Sequence, residues 1–161
     1  MKILLFSDSH GYTHNMFKAV NKVKDIDIII HLGDFVKDIQ KLSDMIKGPK
    51  YEFVLGNNDW SREFPSEKLI EVEGKKIFIT HGHLYNVKND YTKIIQKGVS
   101  LGADAVFFGH THKTEELYYE GMMVLNPGSI SIPSQSDRPT YCVIEIKDNK
   151  IKSKFGSPVS Y

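Results

Sequence analysis

Cysteine is nearly absent. The lone Cys142 excludes an internal disulfide and any zinc site built on several thiolates. It sits in the apolar run Tyr141-Cys142-Val143-Ile144, where packing is its expected role. Long apolar runs are also missing. The opening Met1 to Phe6 is apolar, but Asp8 interrupts it too early for a signal-peptide core or a membrane span. A soluble, cytoplasmic protein with no membrane partner is the expectation. Charge of one sign is lacking as well. With 21 basic and 20 acidic residues the net charge is +1, too little field to track a phosphate backbone, so long nucleic acid is a poor partner. Common phosphate and nucleophile signatures do not appear either. There is no Gly-x-Gly-x-x-Gly after the first apolar run, no Gly-x-x-x-x-Gly-Lys-Ser/Thr loop and no Gly-x-Ser-x-Gly elbow.

The 161 residues suit one domain spanning 1–161, with 40% hydrophobic and 25% charged residues typical of a globular core and surface. Lys2 to Phe6 and Ile26 to His31 read as strands buried on both faces. Met16, Phe17, Val20 and Val23 recur at helical spacing, which predicts a helix over Thr13 to Lys24. Val36, Ile39, Leu42 and Met45 predict a second helix, stopped by Gly48-Pro49, and Tyr51 to Leu55 a third strand. This β-α-β-α-β order is the grammar of a layered α/β protein. The second half is rich in hairpins. Leu69–Val72 and Lys76–Thr80 flank Glu73-Gly74, Glu116–Tyr119 and Met122–Leu125 flank Glu120-Gly121, and Thr140–Ile146 and Lys150–Phe155 flank Asp148-Asn149. One more helix is expected over Tyr91 to about Gly102, and a buried strand over Ala105 to Phe108. Pro127 to Pro139 reads as an ordered loop. A two-sheet sandwich with outer helices fits this order.

Five polar blocks stand out: Asp8-Ser9-His10, Gly33-Asp34, Gly56-Asn57-Asn58-Asp59, His81-Gly82-His83 and Gly109-His110-Thr111-His112. Singly, most also read as turns. Asp-x-His would place both side chains on one side of an extended segment, and two histidines one residue apart after a buried strand have few structural roles. In α/β sheets, ligand sites form beyond the carboxyl ends of strands, where four of these blocks fall, while His81 closes the second strand of a hairpin. Together they offer carboxylate, amide and imidazole donors suited to Mn²⁺, Fe²⁺, Zn²⁺ or Ni²⁺ rather than Ca²⁺. Two such ions about 3.5–4 Å apart would need a bridging carboxylate. His14 and His31 have plainer expected roles, in an exposed helical turn and in capping or packing. Lys37, Arg62, Lys88 and Arg138 could reach a phosphate. Trp60, Phe64 and Tyr85 either wall a pocket or bury under loops.

The ordered series of blocks resembles the calcineurin-like metallophosphoesterase family, in its short YfcE-type form. The likeness runs from Met1 to about Ser131 and includes the loop Asn126-Pro127-Gly128-Ser129. It implies a four-layer αββα sandwich and two divalent metal ions, with Mn²⁺ foremost. One ion would take Asp8, His10 and His112, the other Asn57, His81 and His110, with Asp34 bridging. The implied reaction is hydrolysis of a small phosphate ester by in-line attack of a hydroxide bridging the metals. Larger relatives carry histidine where this chain has Asn58. An amide donates a hydrogen bond but no proton at neutral pH, so slower turnover and a preference for good leaving groups are expected. His83 is the candidate to fill part of that gap, through a phosphate contact or from behind the ligands, and Asp59 to orient its neighbours. Specificity would lie in loops 58–66, 84–90 and 133–139. Family analogy also suggests homo-oligomers. A rival reading is a binding scaffold, as in the retromer subunit that shares the fold.

Overall fold

A computed structural model describes residues 1–134 and 138–160. The chain runs β1 (Lys2–Phe6), α1 (Thr13–Lys22), β2 (Ile28–His31), α2 (Val36–Met45), β3 (Lys50–Phe53), β4 (Glu67–Val72), β5 (Lys75–Thr80), α3 (Thr92–Ser100), β6 (Ala105–Phe107), β7 (Thr114–Tyr119), β8 (Met122–Pro127), β9 (Tyr141–Lys147) and β10 (Lys150–Gly156). A short 3-10 turn occupies His83–Tyr85. The strands form two five-stranded sheets, in the orders β10-β9-β1-β2-β3 and β4-β5-β6-β8-β7.

Alternation along the apolar runs builds four layers. Ile3 and Leu5 of β1, with Ile28 and Ile30 of β2, point into the space between the sheets, where they meet Ile77, Ile79, Phe107 and Leu125. Leu4, Phe6 and Ile29 point the other way, onto Met16 and Ala19 of α1 and Val36, Ile39 and Leu42 of α2. The second sheet repeats this, with Phe78, Val106 and Val124 outward against Ile94 of α3. The expected αββα sandwich is the observed architecture. Two-faced burial is why these strands read as continuous apolar runs. Cys142 is a free, fully buried thiol between the sheets.

Several boundaries differ from the sequence reading. α1 ends at Lys22 rather than Lys24 because Val23 is already extended, and β2 starts at Ile28 rather than Ile26. β3 ends at Phe53, although Val54 and Leu55 stay buried beyond it. Pro127 belongs to β8 rather than to the loop after it, and the part of that loop at 135–137 lies outside the described residues.

The register positions the site. β1, β2 and β3 are parallel, with Phe6, His31 and Phe53 in line, so their carboxyl ends share one edge. In the other sheet β5, β6 and β8 are parallel, with Ile79, Phe107 and Leu125 in line. Chain leaving these strands therefore carries polar residues into common loop regions.

Candidate metal centre

The loops after β1, β2, β5 and β6 bring Asp8, His10, Asp34, His81 and His112 together. Asp8 Oδ1 lies 3.9 Å from His10 Nε2, 3.8 Å from His81 Nε2 and 3.1 Å from His112 Nε2. Asp34 presents Oδ2 to His10 Nε2 at 3.5 Å and Oδ1 to His81 Nε2 at 3.4 Å, so one carboxylate faces both sides. Two groups offer ligand atoms all within 4.8 Å of one another: Asp8, His10 and His112, and Asp8, Asp34 and His81. The His110 ring lies with its centroid 5.0 Å from that of His81, and His10 and His112 rings lie 5.3 Å apart.

The tautomers show what belongs between these atoms. His81 Nδ1 is 2.8 Å from the Leu32 carbonyl and His112 Nδ1 is 2.7 Å from the Ile132 carbonyl. A carbonyl only accepts, so both Nδ1 atoms carry the proton and each Nε2 of a neutral ring presents its lone pair to the carboxylates. Asp8 Oδ1, His10 Nε2 and His81 Nε2 are buried with no hydrogen-bond partner. Lone pairs facing carboxylate oxygens in a buried pocket repel unless a cation lies between them. The donor set fits divalent metal, and it is the kind of set that N/O-binding transition ions prefer.

Local charge agrees. Burial opposes ionisation of Asp8, yet the nearby His112 and His81 rings and the Ser7 hydroxyl outweigh it and pull its carboxyl down to about 2. The adjacent Asp8 carboxylate, which favours the protonated ring, raises the pKa of His112. Burial, with His81 and Lys88 adding repulsion, pushes His110 down to about 4. His83 is also lowered, by burial and then by His81, and its Nδ1 is buried without a partner.

The backbone is bent to make this convergence. Asp8, His10, Asp34, His110 and His112 all have φ between 46° and 70°. The Asp8-Ser9-His10 segment is therefore not extended, contrary to the sequence reading; left-handed turns bring its side chains together. Each such residue costs on the order of 1–3 kcal/mol, a strain typical of functional loops. Phe35, bulky and at φ 73°, adds another before α2 begins. Close approach explains two glycines. A Cβ on Gly56 would collide with the Asp34 carboxylate, and one on Gly109 would strike the Ser7 hydroxyl and come within 2.9 Å of Asp8 Oδ2.

The third block behaves differently from its neighbours. Asn57 is exposed and, among the described residues, makes no side-chain hydrogen bond. Asn58 is tied to the centre through Asp34. Its Nδ2 donates to Asp34 Oδ2 at 2.7 Å and its backbone N–H to Oδ1 at 3.0 Å. Asp59 is a clamp between loops, accepting from the backbone N–H of Asp34, Val36 and Gly56 at 2.8–2.9 Å.

Sequence reasoning missed the supports. Ser7 Oγ donates to Asp8 Oδ2. Ser129 and Ser131 hydroxyls both donate to the Asp8 carbonyl. Ser9 Oγ pairs with His31 Nε2 at 2.9 Å, and the Gly33 N–H donates to His31 Nδ1, so His31 ties two loops together as a buried packing residue. Asn126 Nδ2 donates to the Gly109 carbonyl and to Thr111 Oγ1, and buried Asp38 accepts from the Gly11 N–H. The signal for these was present only as small polar residues beside apolar strand ends. His14 is exposed, Phe64 packs edge-on against Phe53, and Tyr85 donates to Glu67.

Residues 1–149 match the calcineurin-like phosphoesterase superfamily domain. The chain belongs to that superfamily. It is 30% identical over 150 residues to a phosphodiesterase of Methanocaldococcus jannaschii, covering 80% of this chain and 83% of the relative. The structure of a Streptococcus pneumoniae protein described as a predicted phosphoesterase superposes with a TM-score of 0.81 at 27% identity, covering 98% of this chain and 89% of the other. Vacuolar protein sorting-associated protein 29 of Saccharomyces cerevisiae is 28% identical over 182 residues, covering 98% of this chain and 64% of its own length. The superfamily is one of metal-dependent phosphoesterases, and that is the enzyme class of this chain. Among the described residues no helix is long and apolar enough to cross a membrane.

Proposed function

We propose that the chain is a cytoplasmic dinuclear phosphodiesterase acting on a small phosphate ester, with Mn²⁺ as its usual ion. The observation that carries this reading is the set of buried, unpartnered ligand atoms around Asp8 and Asp34. Asp8, His10 and His112 would hold one ion, Asn57, His81 and His110 the other, and Asp34 would serve both through the oxygens that face His10 and His81. A bound pair of divalent ions supplies charge neutralisation at phosphoryl oxygens and an acidified water.

The remaining work falls to the chain's own groups. Asn58 holds Asp34 at both oxygens and fixes its orientation. Asp59 keeps the β2 and β3 loops in register for that contact. His83, held neutral at pH 7, can offer a ring N–H to phosphate but is no strong acid. Asn58 on Asp34 and His83 beside His81 and His110 would supply no strong acid, so the leaving group would depart largely unaided by protonation. The preference is therefore for diesters with acidic leaving groups. Asp34→Asn should abolish hydrolysis of an aryl phosphodiester in Mn²⁺; full activity in a metal-verified sample would overturn the mechanism.

The likeness to vacuolar protein sorting-associated protein 29 supports a second reading, a metal-binding interaction scaffold. The filled set of carboxylate and imidazole positions favours the enzyme. Complete inactivity with both ions bound would favour the scaffold.

A further inference from the structure

Beside the metal centre, Phe35, Lys37, Asn58, Asp59 and Trp60 line a hollow of about 300 Å³. A second hollow of about 490 Å³ shares Lys37, Asp59 and Trp60 with it and continues toward Arg62 and Phe64. Two aromatic rings are spent here on solvent. Trp60 is 98% exposed, and Phe35 is 40% exposed with its ring centroid 5.4 Å from that of His10. Phe35 directly follows Asp34 and holds a left-handed backbone to do so. Neither ring serves the core, and both flank the residues that grip the central carboxylate.

We propose that this trough is the subsite for the organic arm of the ester, and that the arm it takes is a planar aromatic of the nucleobase class. The proposal rests on the phosphodiesterase reading above, since a phosphate anchored at the centre would send its substituent past Asn58. Continuity is the first support, because Asn58 and Asp59 belong to both places. Chemistry is the second. Exposed aromatic faces stack on bases regardless of sequence, and Lys37 adds a cation at the junction of the two hollows. Both Asp59 oxygens already accept backbone N–H bonds, which tempers their repulsion of an anionic ligand. Polar ring edges of a base would face Lys37, and its faces would meet Trp60 or Phe35.

Trp60 is the chain's single tryptophan, so its fluorescence reports on the trough alone. Protein loaded with Zn²⁺, which does not quench emission, is titrated with adenosine 5′-monophosphate, ribose 5-phosphate and inorganic phosphate. The expected result is saturable quenching by the nucleotide and none by the other two. Calorimetry then gives the ratio of nucleotide to phosphate affinity, which should fall on the order of tenfold in Phe35→Ala and in Trp60→Ala. Equal effects of nucleotide and sugar phosphate on Trp60, or an unchanged ratio in both variants, would overturn the proposal. So would a ligand-free emission shift with protein concentration, which would assign the trough to a second copy. Phosphate binding without nucleotide preference sinks the trough and leaves the metal reading standing. Nucleotide binding with Trp60 quenching but no phosphate binding does the reverse.

Discussion

His31 provides a stability test independent of turnover. It is fully buried, and burial pushes its imidazole from the ordinary 6.5 down to about 4 despite the opposing pull of Asp59, Asp8 and Asp38. The sign follows from which state binds the proton. Above pH 6.5 His31 is neutral folded and unfolded, and its contribution is fully present. As pH falls below 6.5 the unfolded chain takes up a proton that the folded chain refuses, so stability is lost until about pH 4, where both states are protonated. At about 1.4 kcal/mol per pH unit, the whole window is worth about 3 kcal/mol, and roughly 2 kcal/mol of it is gone by pH 5. His31→Gln keeps a polar side chain near Ser9 but does not titrate. Urea unfolding of chelator-treated protein at pH 7 and pH 5 would compare the two chains, with other titrating groups cancelling in the difference. The native protein should lose roughly 2 kcal/mol more than the variant between those pH values. Equal losses would refute the argument that a neutral His31 ties the β1 and β2 loops.

Further expectations follow from the same contacts. Gly56→Ala drives a methyl into Asp34, and should cost about 1–3 kcal/mol in denaturant unfolding together with most of the metal affinity; a thermal midpoint equal to that of the native chain would contradict the close approach. Asp59→Ala strands three backbone donors, so a loss of about 1–3 kcal/mol and a fall in kcat larger than any rise in KM are expected. The raised His112 pKa means that its proton competes with metal up to higher pH. Metal affinity, followed by calorimetry, should therefore weaken on acidification from neutral pH and weaken less in His112→Asn. Adding Mn²⁺ at about 100 times its dissociation constant should stabilise the native fold by about 2.7 kcal/mol for each ion bound, and chelation should remove that increment.

Much of the architecture was legible because the central apolar runs, such as β1, β2 and β8, are buried on both faces. Leu4 and Phe6 serve the helices while Ile3 and Leu5 serve the inter-sheet core, so the run has no polar gaps. Ends were less legible. α1 has no side-chain cap and no acidic first turn, which left its limits to tertiary packing. At the site, the aspartates and histidines could be read because they follow strand ends at short spacing. The roles within Asn57-Asn58 could not, since adjacent asparagines differ only in which side of a turn each faces, and Asn58 is the one bonded to Asp34. Ser9, His31 and Ser129 act across distances of 22 and 121 residues in sequence, and no local pattern reports such partners. The open question over Trp60 and Phe64 resolves both ways: Trp60 stands in solvent and Phe64 packs against Phe53.

The central claim is that the buried, unpartnered Nε2 atoms of His10 and His81, facing Asp8 and Asp34, are shaped for cations. Elemental analysis of the intact chain after equilibrium dialysis against Mn²⁺ tests it most directly. The account predicts two ions per chain; a folded protein that retains none would contradict it.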